Sequence, residues 1–97
     1  RIDISDIMWL STAANYVELH LPNRSILHRT TISAMEERLP MSQFLRLHRT
    51  AIVRIDAIRR LEISEEASHV AVLRNGDKVK VSDTHIKKLK KMLMQSL

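Results

Sequence analysis

Hydrophobic and polar residues alternate with a period near two along most of this chain and change to helical spacing in two stretches, which predicts short strands interrupted by two helices. Near the start, "IMWLSTAANYVELHLPNRSILHRT" reads as strands over 7–10, 16–21 and 25–28, separated by the turn-rich "STAAN" and "PNR". In "TTISAMEERLP" Ile32, Met35 and Leu39 recur at helical spacing, Ser33 and Glu36 make an S-x-x-E capping box, and Pro40 ends the short helix. The run "FLRLHRTAIVRI", 44–55, returns to a period of two: Leu45, Leu47, Ala51, Val53 and Ile55 share one parity, and Arg46, His48, Thr50 and Arg54 the other. Arg49 sits on the apolar parity. Either the strand is bulged or turned near "HRT", or a guanidinium enters the interior; the first costs less and aims Arg49 outward. "DAIRRLEIS" leads to a hairpin, "HVAVLRNGDKVKVS", whose Asn75-Gly76 supplies the positive φ angles of a tight turn. Finally, "SDTHIKKLKKMLMQSL" places Ile86, Leu89, Leu93 and Leu97 on one stripe with lysines elsewhere, behind a candidate N-cap at Ser82. The fold class is mainly β with two short helices, an α+β arrangement.

Ninety-seven residues make one domain, 1–97, with a single modest core, and no repeat or linker divides it. The chain begins at Arg1 rather than methionine, which reads as an excised or processed part of a longer protein. No apolar run approaches the roughly 18 residues that span a bilayer, and no signal peptide is visible. Cysteine is absent, so disulfides and thiolate metal sites are excluded, and a reducing, cytoplasmic setting is expected. Net charge is +5, unevenly spread: residues 24–60 hold eight arginines against Glu36, Glu37 and Asp56, and residues 84–97 add four lysines and no acid. Such clustering favours a polyanionic partner, through phosphate neutralisation and counterion release.

Catalytic and metal chemistry find little support. The five histidines at 20, 28, 48, 69 and 85 never stand three or four apart, so no helix presents a metal-binding pair. "SDTH" contains Ser, Asp and His, but a helix N-terminus explains these neighbours more simply than a triad. A single glycine excludes a phosphate-cradling loop. No enzyme activity, cofactor, metal or small-molecule substrate is therefore expected. What remains is a basic strand, a loop holding Asn15, and a helix start at 82–85. Asn and Arg match base edges in their hydrogen-bonding forks, and helix N-termini bind phosphate.

The ordered set "DIMWL", "NYVELHL", "HRTTISAMEERLP", "FLRLHRTAIVRIDAI" and "VKVSDTHIKKLKKML" resembles the LytTR-type DNA-binding domain of bacterial transcription and response regulators over nearly the whole chain. The resemblance implies an elongated, mainly β fold of small antiparallel sheets that reads the major groove of double-stranded DNA with loops rather than a recognition helix. It implies base contacts from Asn15, Arg49 and Thr84, with His85 beside it. It implies backbone contacts from Arg29, Thr31, Thr50, Lys80 and Lys87. It also implies the output domain of a regulator whose N-terminal module is not present, acting as a homodimer on repeated half-sites. Two positions depart from the family: Asp83-Thr84 stands where Arg is common, and Arg54 where Asn is usual after the strand's Val.

Simpler readings compete with these. Arg49 could be an edge-strand charge that blocks aggregation, and Asn15 ordinary turn chemistry. His48 reads as structural, orienting "HRT". Trp9, Phe44 and Tyr16 read as core rather than as a stacking platform. The alternative function is a basic module that dimerises, or that lies on an anionic membrane through its lysine-rich helix, without specific DNA readout.

Overall fold

Pairing with neighbours decides where each strand begins and ends. The computed structural model describes residues 2–95. In chain order it forms β1 (Trp9–Ala13), β2 (Tyr16–His20), β3 (Ser25–His28), α1 (Ile32–Arg38), β4 (Phe44–His48), β5 (Ala51–Arg54), β6 (Ile58–Ile63), β7 (His69–Leu73), β8 (Lys78–Val81) and α2 (Asp83–Gln95). All pairings are antiparallel, giving a five-stranded sheet of order β3-β2-β1-β5-β4 and a three-stranded sheet of order β6-β7-β8. The molecule measures 35 × 28 × 25 Å. Among the described residues no helix is long and apolar enough to cross a membrane.

Strand β1 starts and ends later than its sequence pattern predicts. Ser11 pairs with both Glu18 and Ala51, and the Thr12 N–H donates to Thr50 O at 3.0 Å, so two neighbouring strands draw the expected turn residues into the sheet. Only Ala14 and Asn15 are left to turn, and Ala14 takes φ +54°, a conformation that costs a non-glycine residue about 1–2 kcal/mol.

The 44–55 run is a hairpin. Its turn is Arg49-Thr50, and the register shifts between Arg46 and His48, leaving Leu47 as the bulged residue. Both faces are covered: Leu45, Leu47, Ala51 and Val53 face the second sheet and α2, whereas Phe44 and Ile52 on the other parity join the core beneath α1. The five-stranded sheet is therefore the middle layer.

Three further expectations are corrected, and one strand is added. The α1 N-cap is Thr31, whose Oγ1 accepts from Ala34 N at 3.1 Å, so Ser33 lies inside the helix and the Ser33–Glu36 box does not form. "DAIRRLEIS" contains β6, hidden in the sequence because a register shift between Ile58 and Arg60 breaks its alternation. In the β7–β8 turn Gly76 alone of the pair has positive φ, +93°; Gly76 N donates to Leu73 O and Leu73 N to Asp77 O, both at 2.9 Å, which describes a three-residue loop closed by a glycine bulge. Tyr16 is 38% exposed rather than core, while Phe44 is buried and Trp9 half-buried. On α2, Ile86 and Leu89 are buried and Leu93 half-buried, as the stripe predicts; Leu97 lies outside the described residues.

Arg54, at the second family departure, clamps the N-terminal segment onto the sheet. Its Nε donates to Ile7 O at 2.8 Å, its other nitrogens to Gln43 Oε1 and Ile4 O, and its guanidinium lies 4.5 Å from the Phe44 ring centroid. Trp9 ties the two sheets together, with Nε1 donating to Asp77 Oδ2 at 3.0 Å while its ring stacks on His20 at 4.0 Å.

Candidate nucleic-acid interface

Antiparallel register carries three chain segments to one rim. The β1–β2 turn holds Asn15, the β4–β5 turn holds Arg49 and Thr50, and Ser82 precedes α2, which holds Thr84 and His85 in its first turn. The bulge links two of these. Leu47, freed from the ladder, accepts at its carbonyl from Ser82 N at 2.8 Å, which pins the start of α2 beside the β4–β5 turn.

Surface depressions show how the residues group. Thr12, Asn15, Tyr16, Arg29 and Thr31 line one. Thr12, His48, Thr50, Lys78 and Lys80 line a second. His48, Arg49, Ser82, Thr84 and His85 line a third, with Arg46 and Glu36. Thr12 is common to the first pair and His48 to the second, so the three are contiguous. All the expected contact residues except Lys87 lie along this line. Lys87 is exposed on α2, three residues after Thr84 and so on the same helix face.

The two-residue turn at Arg49-Thr50 lacks the positive φ angles that usually close such hairpins. Side chains close it instead. Arg46 Nε donates to His48 O at 2.9 Å and its second terminal nitrogen to Arg49 O at 2.8 Å, while the remaining nitrogen pairs with Glu36 Oε1 at 2.8 Å. His48 Nδ1 lies 2.8 Å from Thr50 Oγ1 and accepts from Thr50 N at 3.3 Å, which leaves its Nε2 to carry the proton of the neutral ring. Arg46 and His48 thus hold the turn, and the Glu36 carboxylate is neutralised within it.

The residues expected to touch DNA differ in what they have left to offer. Arg29, Arg49, Lys80, Lys87 and Asn15 are exposed, and among the described residues their side chains have no hydrogen-bond or ion-pair partner. Thr31 uses its oxygen to cap α1 yet keeps its hydroxyl proton to donate. Thr84 Oγ1 lies 3.0 Å from Ser82 Oγ and 3.2 Å from His85 Nδ1, and Ser82 also bonds His85 Nδ1, so these three fix one another at the helix start. Asp83 is exposed in the first turn of α2, where the macrodipole favours a carboxylate.

Sequence reasoning missed Thr12, Tyr16 and Lys78 on the rim, and the role of Arg46 beneath it. Lys78 could have been found, since "KVKV" puts it on the same strand face as Lys80.

A small double-sheet fold that gathers exposed hydrogen-bond donors from two turns and the start of α2 on one rim is a binding module. A family model, the LytTr DNA-binding domain, matches residues 1–94, and the chain belongs to that family. It is a DNA-binding domain. The sensory transduction protein LytT of Bacillus subtilis (strain 168) is 29% identical over 92 residues, covering 95% of this chain and 38% of that protein. LytT of Bacillus anthracis is 28% identical over 92 residues, covering 95% and 37%. A solved LytTr DNA-binding domain of a putative methyl-accepting/DNA response regulator from Bacillus cereus superposes with a TM-score of 0.83 at 23% identity, covering 95% of this chain and 84% of that one. The mainly β, two-sheet fold is thus that of the family. The chain spans less than two-fifths of the length of these curated relatives.

Proposed function

We propose that the domain binds double-stranded DNA sequence-specifically by laying this rim along the major groove, as the output of a transcriptional regulator. Arg49 reads guanine through its guanidinium fork and Asn15 reads adenine through its amide; Thr84 and His85 read at the start of α2. Arg29, Thr31, Thr50, Lys80 and Lys87 hold the sugar-phosphate backbone and set the register. The observation that carries this is the contiguity of the three depressions through Thr12 and His48.

The longer relatives support a parent protein with a further module that controls the domain, and a homodimer on half-sites one helical turn apart would place two rims on one face of the duplex. Selecting bound sites from a random duplex pool and titrating the winner against scrambled DNA tests the reading. Arg49→Ala is expected to cost about 1–3 kcal/mol of discrimination at one base pair. An equal loss on selected and scrambled DNA would make Arg49 a phosphate contact instead.

A further inference from the structure

An apolar trough runs along the flank of the middle sheet, outside the rim. Ile26 of β3, Leu19 of β2 and Met35 and Leu39 beside it floor the trough, and Arg24, Arg38 and His28 stand around it. Leu27 and Ile4 at its margin are 59% and 44% exposed. β3 is the edge of its sheet, so its outer backbone N–H and C=O groups have no strand to pair with. Arg24 and Arg38 are exposed, and among the described residues neither guanidinium has an ion-pair or hydrogen-bond partner.

Register sets where these arginines sit. His28 pairs with Val17 near the β1–β2 turn, and Ser25 pairs with His20 at the other end, so Arg24 and Arg29 flank opposite ends of β3. At the rise of a strand they are roughly 16 Å apart, beyond the screening length of about 8 Å at physiological salt. Arg38 likewise ends α1, whose start at Thr31 borders the rim. These cations are therefore poorly placed for the duplex that the rim would hold.

We infer that this trough is a docking site for an acidic amphipathic protein segment, which adds as an extended strand along β3, sets apolar side chains on Ile26 and Leu39, and pairs carboxylates with Arg24 and Arg38. A second copy of the chain fits poorly. Antiparallel self-pairing of β3 about a two-fold axis would set Arg24 opposite Arg29, and like charges directly opposite destabilise a sheet. Arg24 and Ile26 share one face of the β3 line, so a segment carrying a carboxylate and an apolar residue two positions apart meets both, and strand addition supplies the backbone bonds. The segment binds while DNA is engaged, because it leaves the rim untouched.

A random linear peptide library displayed on phage, selected against the domain at physiological salt, tests the inference. Winners should carry acidic and apolar residues two positions apart, on one strand face, shift the amide NMR signals of Ile26, Leu27, Met35 and Leu39, and bind equally well with selected DNA present. The double variant Arg24→Gln/Arg38→Gln should weaken them about fivefold or more while DNA affinity stays unchanged. Neutral or basic winners, winners mapping elsewhere, an absence of winners, displacement by DNA, or concentration-dependent shifts along β3 that report self-association would each overturn it. DNA affinity of the same sample is read separately, so failure of the docking site is distinguishable from failure of the DNA interface.

Discussion

The arginines of this chain differ by what lies within reach of the guanidinium. Arg46 and Arg54 are spent on backbone carbonyls, Arg60 pairs with Glu62 at 2.7 Å, and Arg29 and Arg49 stand free on the rim. The basic cluster at 24–60 is therefore not one phosphate-binding surface, and part of it serves the architecture. Arg46 is the clearest case, since its planar fork serves two carbonyls and a carboxylate at once, which a lysine ammonium cannot reproduce. Arg46→Met is expected to cost about 2 kcal/mol in denaturant unfolding, and to reduce binding to selected DNA more than to scrambled DNA because the turn carrying Arg49 loosens. Arg46→Lys should restore little of either. His20 gives a second residue-scale test. Burial lowers its pKa below the ordinary 6.5, against the opposing pull of Glu18 and Asp77. The unfolded chain then binds the proton more readily than the folded one, so this contribution is present above about pH 6.5 and is lost as pH falls through the lower folded value. Urea unfolding at pH 7.5 and 5.5 should show a loss on acidification that is smaller in His20→Gln.

At the scale of elements, helix α2 is the one whose packing bears most directly on the rim. Leu89 is fully buried in the cluster shared by β4, β5, β7 and β8, and its helix begins with the Thr84–His85 pair. Leu89→Ala should cost about 2–4 kcal/mol, and selected-DNA affinity should fall with it even though the residue is far below the contact surface. Measuring affinity well below the unfolding midpoint separates misplacement of the helix start from loss of folded protein. The two helices, the hairpin around Gly76 and the outward Arg49 were all legible in the sequence, because each rests on a local period or turn residue. The extension of β1 was not, since Ser11 and Thr12 become strand residues through partners on β2 and at the start of the β5 arm, all distant in sequence or across the turn. Nor was the covering of both faces of the 44–55 hairpin: Phe44 and Ile52 meet α1 only after the chain has folded back. In β6 the bulge erased the local period itself. The candidate site shows the same division, with free charged tips readable from the chain and their buttress, Arg46 on Glu36, visible only when β4 and α1 are adjacent.

For the whole molecule, the question is how much of the +5 net charge a duplex would feel. If the rim alone engages DNA, the phosphate contacts are Arg29, Lys80 and Lys87, with Lys78 as a fourth beside Lys80. Each neutralised phosphate contributes about −0.9 to the slope of log affinity against log salt, so three or four give roughly −3 to −4 and a fall of about 40- to 150-fold between 50 and 200 mM. Lys87→Ala should flatten that slope by about 1 and weaken selected and scrambled DNA alike. Arg24→Gln should leave it unchanged, because Arg24 lies at the end of β3 remote from the rim. A wild-type slope steeper than about −6 would require cations beyond the rim to meet phosphate, and the DNA would then have to wrap the flank that carries the trough. If both proposals hold, slope and docking are two readouts of one partition of charge, with the rim facing the duplex and the flank facing protein.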